Sequence, residues 1–225
     1  SASLVGSEMC IRDSNNIANK VMNIPLGPGI GQCCGGYVQV KLSLHNNSKD
    51  ALKNEYVVNN IKPNLYIFGS GHIGQALISK LENINFNTFI IDSREDYLKM
   101  TNIKDINYLL SKKPWEIVSK LEDNSYFIVL THSHDYDLKI LNEILKKNNT
   151  FVGLIGSLTK KKRFYKRLID NGHNQSIVEK IECPIGIDIG NSKDPNEIAF
   201  SIITRIISIK NSLKHLSNNK IKKVI

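Results

Sequence analysis

No stretch of this 225-residue chain approaches the roughly 18 uninterrupted apolar residues that a membrane span needs. No segment has the charged start, apolar middle and small-residue end of a secretory signal. The expected setting is therefore the cytoplasm, with no membrane contact. Cysteine is scarce as well: there are four, Cys10, Cys33, Cys34 and Cys183, and none has a C-x-x-C or zinc-ligand spacing. The adjacent Cys33 and Cys34 cannot easily pair with each other, so the chain reads as a reduced protein with one accessible thiol pair. Arginine is rare, at 5 of the 30 basic residues. A surface that reads base edges favours Arg forks, so the net charge of +9 does not mark a nucleic-acid binder. The placement of the charge agrees. Residues 1–112 carry 11 basic and 9 acidic groups, residues 113–204 carry 13 and 12, and residues 205–225 carry 6 and none. Two-thirds of the excess sits on a Lys-rich end that reads as the solvated tail of a helix.

The opening SASLVGSEMCIRDS resembles the translation of a sequencing adapter. Residues 1–14 are thus expected to be non-native, Cys10 to carry no meaning, and the N-terminal domain to be partial. Residues 23–36, NIPLGPGIGQCCGG, have the glycines and prolines of a loop. Tyr37–Leu44 alternates, with Val38, Val40, Leu42 and Leu44 on one face, as a half-buried strand does. Residues 45–62 are polar and end at Pro63, which places a domain boundary there. Three native segments result: a partial domain over 15–62, a main domain over 63–217, and a basic tail over 218–225.

From Leu65 the pattern changes to short apolar strands alternating with helical spacing. Strands are expected at Leu65–Phe68, Thr88–Asp92, Ile106–Leu109, Tyr126–Leu130 and Phe151–Ile155. Helices are expected at Ile73–Leu81, from Pro114, at Asp137–Lys147, from about Thr159, and from Asp194-Pro195-Asn196-Glu197, which supplies an N-cap, Pro at the first position and Glu at the third. Alternation of this kind predicts an α/β fold: a Rossmann-like, doubly wound parallel sheet of strand order 3-2-1-4-5.

Five constellations could carry chemistry. Gly69-Ser70-Gly71-His72-Ile73-Gly74 follows a strand, opens a helix, and has Asp92 at the end of the next strand, 23 residues after Gly69. That is the full context of a phosphate-binding turn. Gly69, Gly71 and Gly74 would let the backbone approach a pyrophosphate, His72 lies inside the turn, and Asp92 suits a ribose hydroxyl. The second is Thr131-His132-Ser133-His134-Asp135-Tyr136-Asp137, after the fourth strand. It should face the same crevice across the topological switch point, with Thr131, His132 and Asp137 on the facing wall. Asp137 could equally be a helix N-cap. The metallo-β-lactamase pattern H-x-H-x-D-H is matched only in part, because Tyr136 and Asp137 put the Asp and His ligands out of register, so a catalytic metal is the lesser reading. The third is Gly156-Ser157 running into Lys160, the first of six cations in eight residues, a second anion cradle from which Lys160 is expected to reach a ligand. The fourth is Gln32-Cys33-Cys34-Gly35-Gly36, an exposed thiol pair whose softness suits a soft metal or sulfur chemistry. Finally, Lys193 approaches the same face, to bind either a ligand or the sheet.

Taken in order, GPGIGQCCGGYV, IFGSGHIGQAL, IIDSRED, THSHDYDL, FVGLIGSLTKKKRF, CPIG and KDPNEIA cover about residues 24–207, and together they resemble the XdhC/CoxI family of xanthine dehydrogenase accessory proteins. The resemblance implies a cofactor chaperone with no catalytic residues of its own. Such a protein binds molybdenum cofactor, as molybdopterin or its dinucleotide form, assists its sulfuration by a cysteine desulfurase, and delivers it to apo-xanthine dehydrogenase or a related molybdoenzyme. Cys33 or Cys34 would approach the molybdenum, and a homodimer is expected. The residues alone leave rivals: an NAD(P)-dependent oxidoreductase, for which the Gly turn and Asp92 are suited; a nucleotide-sensing regulatory domain, which gives no reason for GQCCGG; and a metallohydrolase.

Overall fold

The structure, a computed structural model, describes residues 19–25, 37–43, 62–100 and 103–221. The chain forms two compact units, residues 1–61 and 62–225. In the first, β1 (Asn19–Pro25) pairs antiparallel with β2 (Tyr37–Ser43), in a register running from Asn19 opposite Ser43 to Pro25 opposite Tyr37. The expected strand is present. The expected loop from residue 23 is shorter at its start, because Asn23–Pro25 complete β1. Pro25, lacking an N–H, stands at the strand's last position, where it weakens the ladder least. Gln32, Cys33, Cys34 and Gly35 lie outside the described residues.

The second unit is a parallel sheet of β3 (Asn64–Phe68), β4 (Asn87–Asp92), β5 (Ile106–Leu110), β6 (Ser125–Val129) and β7 (Asn149–Leu154). Its order is β5-β4-β3-β6-β7, the expected 3-2-1-4-5. Side chains alternate across each strand. Leu65, Ile67, Ile90 and Ile128 point to one face, where they meet Leu77 and Ile78 of α1 (His72–Leu81) and Ala199, Ile202 and Ile206 of α6 (Pro195–Ile221). Tyr66, Phe68, Phe127 and Val129 point to the other, against Ile140 and Leu141 of α3 (His134–Ile144) and Phe164 and Leu168 of α4 (Leu158–Asp170). Both faces are covered, so the central strands read as continuous apolar runs and not as alternation. Two short helices, α2 (Glu95–Lys99) and α5 (Gln175–Val178), complete the unit. The start of α6 is as expected: the Asp194 carboxylate accepts from the Asn196 N–H at 2.6 Å, and Glu197 pairs with the Ser192 hydroxyl.

Two expectations are corrected. Pro114 opens no α-helix. Residues 114–117 form turns leading into a single 3-10 turn, Val118–Lys120. Trp115, Val118 and Leu121 all pack on the core, and a spacing of three matches the 3-10 period. The helix expected over Asp137–Lys147 begins one turn earlier, at His134. Ser133 is its N-cap, accepting from the Tyr136 N–H at 3.4 Å. Asp137 is consequently not a cap.

Candidate functional site

The C-terminal ends of the parallel strands present three turns side by side, and the first is the glycine turn between β3 and α1. Gly69 has φ +118°, a left-handed conformation in which a side chain is strained, and a Cβ there would lie 2.4 Å from the Leu130 carbonyl oxygen. A Cβ on Gly74 would lie 2.1 Å from the Gly69 oxygen. A Cβ on Gly71 would meet nothing within 4 Å. Two of the glycines thus serve the close packing of strand, turn and helix, and Gly71 leaves the backbone open to an approaching group. His72, the first residue of α1, is exposed.

Asp92 ends β4 beside this turn and is almost fully buried. Its Oδ2 accepts from the Ser70 N–H at 2.7 Å and from Arg94 Nη2 at 2.9 Å; its Oδ1 accepts from the Arg94 N–H at 2.9 Å and from Arg94 Nε at 3.0 Å. An ionised carboxylate has about four lone-pair sites, so this one is full. Burial alone would push the Asp92 carboxyl up, but the bonds from Arg94 and Ser70 outweigh it and hold the group below the usual carboxylate range. As built, Asp92 therefore grips the glycine turn, and the expected bond to a ribose hydroxyl would need one of these four to be surrendered. The Ser70 hydroxyl donates to the Tyr97 carbonyl at 2.9 Å, and Gln75 Nε2 donates to both Ser70 Oγ and the Tyr97 carbonyl, at 2.5 and 2.7 Å.

The second turn follows β6. The Thr131 N–H and hydroxyl both donate to Asp137 Oδ1, at 3.0 and 2.6 Å. Asp137 is fully buried inside the first turn of α3, where its charge complements the helix dipole. Its Oδ2 accepts from Lys160 Nζ at 2.6 Å. Lys160 Nζ also donates to the Ile155 carbonyl at 2.8 Å. This corrects the expectation for Lys160: the ammonium is engaged inside the protein, joining the turn after β6 to the turn after β7. It passes so close to Gly156 that a Cβ there would lie 2.5 Å from Lys160 Cδ. Ser157 is the exposed N-cap of α4, accepting from the Lys160 N–H at 3.3 Å. The histidines diverge. His132 is exposed, with its ring 5.4 Å from that of Tyr136; Nδ1 of His134 lies 3.0 Å from Arg163 Nη2. Among the described residues, no three His, Cys, Asp or Glu side chains are grouped to hold a metal.

A narrow cleft, too tight as it stands to admit a water molecule, lies at the switch point between β3 and β6. It brings together Gly69, Asp92, Thr131 and His132, roofed by Pro114 and Tyr136. Gly71, His72, Gly74, Asp137, Gly156, Ser157, Lys160 and Lys193 do not line it. Lys193 is exposed. Ser70, Arg94, Tyr97 and Tyr136 are structural members of this region that sequence reasoning does not single out. Arg94 stands two positions after Asp92, and that spacing is its available signal.

Residues 65–206 match the family model of the XdhC Rossmann domain. Over 184 residues, 81% of this chain, the sequence is 23% identical to the uncharacterized protein YqeB of Escherichia coli (strain K12), covering 31% of that protein. Over 151 residues, 66% of this chain, it is 27% identical to a probable xanthine dehydrogenase subunit from Bacillus subtilis (strain 168), covering 43% of it. In fold it is similar to a crystal structure of a xanthine dehydrogenase from Bacillus halodurans, with a TM-score of 0.60 and 21% identity over 80% of this chain and 59% of that one. The chain thus spans less than two-thirds of each of these relatives.

Proposed function

The chain belongs to the XdhC family, and on that premise we propose that it is a maturation factor for a molybdenum hydroxylase of the xanthine dehydrogenase type, one that carries molybdenum cofactor as cargo and catalyses no turnover of the hydroxylase's substrate. The observation that carries the proposal is the glycine turn: an open Gly71 at the N-terminus of α1, with the turn fixed from below by Asp92. Molybdopterin bears a phosphate and its dinucleotide form a pyrophosphate. Either can accept the N–H groups of a helix N-terminus, whose partial positive charge favours an anion. No proton or hydride transfer is asked of the protein.

In this reading the side chains divide the work. Gly69, Gly71 and Gly74 shape the phosphate cradle. Thr131 and His132 form the opposite wall of the cleft, and the Asp137–Lys160 pair holds that wall in place. His72 stands exposed at the mouth of the cradle. A thiolate such as Cys33 or Cys34 can supply is a suitable soft ligand for molybdenum. The cargo is then sulfurated by a cysteine desulfurase and passed to the apo-enzyme. The assay is reconstitution. Apo-hydroxylase is mixed with cofactor and desulfurase, with and without this protein, and hydroxylase activity is followed. The protein is expected to raise the yield of active enzyme. An equal yield in its absence would remove the maturation role.

A further inference from the structure

Helix α4 carries a charge that its own surroundings do not answer. It holds six cations, Lys160, Lys161, Lys162, Arg163, Lys166 and Arg167, and its one acid, Asp170, is its last residue. Lys160 is engaged by Asp137. Lys161 lies over the Tyr165 ring, and Arg163 meets His134. Lys162, Lys166 and Arg167 are exposed, and among the described residues no carboxylate pairs with them. Elsewhere the pattern is the opposite: Lys99, Lys113, Lys139 and Lys146 each pair with a carboxylate three or four residues away. The arrangement on α4 costs local stability in two ways. Its first turn has no acid, so lysines alone face the positive end of the helix dipole. Lys162 and Lys166, like Arg163 and Arg167, are like charges four residues apart, which repel. Arginine is the sharper signal, since two of the chain's 5 stand on this helix.

Apolar side chains frame this charge. Lys160, Phe164 and Leu168 are buried, which puts Lys162 and Lys166 at the centre of the opposite face. Leu158, 64% exposed, and Ile169, 40% exposed, flank that row at its two ends, about 16 Å apart by helical rise. Such a face cannot lie in a bilayer, because the apolar stripe of the helix is already buried in the protein. A phosphate backbone gives Leu158 and Ile169 nothing to bury against. A protein surface with carboxylates set between two apolar contacts satisfies both, and Arg163 and Arg167 can each take a carboxylate with two N–H groups at once. The helix also stands beside the cleft. Its first turn is tied through Lys160 and Asp137 to Thr131 on the cleft wall, and Arg163 reaches His134, two residues from His132. We propose that the exposed face of α4 is the docking surface for an acidic face of the protein that receives the cargo. The proposal rests on the cargo reading above and gives it a partner surface. Repulsion within α4 is then relieved when the partner's carboxylates arrive.

The test is a titration of the whole protein, with cofactor present, against apo-hydroxylase at low and at high salt. Binding should weaken steeply as salt rises, through a slower association. The double variant Lys162→Glu, Lys166→Glu reverses the centre of the face and should bind about tenfold more weakly at low salt, with the gap closing at high salt. Leu158→Ala should speed dissociation at either salt, because it removes an apolar contact and no charge. Lys166→Glu alone places an acid four residues from Lys162, so its thermal midpoint should not fall although its binding does. All of these variants should carry as much molybdenum as the unmodified protein, since none touches the cleft. Unchanged affinity for apo-hydroxylase in the reversal variant overturns the docking surface, whatever that variant does to duplex DNA or anionic vesicles titrated alongside. A loss confined to the cysteine desulfurase overturns it too. No complex between the unmodified protein and apo-hydroxylase overturns the surface while molybdenum carriage persists, and overturns the cargo reading as well where carriage is also absent.

Discussion

Asp137 and Lys160, 23 residues apart in the chain, meet in a buried ion pair of 2.6 Å that joins the turns after two neighbouring strands. The carboxylate's other oxygen holds both the backbone and the hydroxyl of Thr131. The wall of the cleft therefore depends on a contact that no local segment contains.

Breaking one side of that pair leaves an uncompensated buried charge, which costs about 3–5 kcal/mol. Lys160→Met is expected to destabilise by that amount in urea unfolding. Asp137→Asn can still accept from Thr131 and carries no charge. The double variant Asp137→Asn, Lys160→Met should thus lose clearly less than the sum of the two single losses. Strict additivity would mean that the pair is not coupled in solution.

Gly71 and Gly74 should separate binding from folding. A Cβ at Gly74 meets the Gly69 oxygen at 2.1 Å, and backbone cannot yield cheaply, so Gly74→Ala is expected to cost at least the roughly 1–3 kcal/mol of an overpacked site. Gly71→Ala meets nothing within 4 Å. It should melt within a degree or two of the unmodified protein, yet bind pyrophosphate about tenfold more weakly, a difference of about 1.4 kcal/mol, because the new methyl stands where a phosphate approaches. Thermal melts and a pyrophosphate titration check both halves.

Much of this architecture can be read directly from the chain. Runs such as Leu65–Phe68 and Tyr126–Val129 are apolar on both faces because helices cover both faces, and that continuity is visible in one dimension. The glycine turn is visible for the same reason: its spacing is local. Asp137 is harder. A residue three positions after a histidine near a strand end looks like a cap or a ligand, and only Lys160, one strand and one helix further on, shows it to be one half of an ion pair. Lys160 is misread as a ligand group through the same contact. Asp92 sits where a ribose-binding acid belongs, but its four lone pairs are taken by neighbours on both sides in sequence and space. The pairing of β1 is invisible in the sequence because its mixture of Asn, Lys, Met and Pro shows no alternation and is defined by β2.

The Asp92 carboxyl also predicts an acid dependence. Its folded pKa is held below the ordinary carboxylate value of about 3.9. Stability from such a group is present above that value and is lost as pH falls through the depressed folded value. Asp92→Asn should be less stable than the unmodified protein at pH 7, with the gap in urea midpoint narrowing below about pH 4. A gap that stays constant down to pH 3 would show that the ion pair with Arg94 contributes nothing.

The central claim is that this protein carries molybdenum cofactor. The direct measurement is to incubate the protein with purified cofactor, separate it by gel filtration, and determine molybdenum in the protein peak by mass spectrometry. About one molybdenum per chain is predicted, with marked loss in the Cys33→Ser, Cys34→Ser double variant and in Gly71→Ala. A protein peak free of molybdenum at micromolar protein and cofactor would contradict the account.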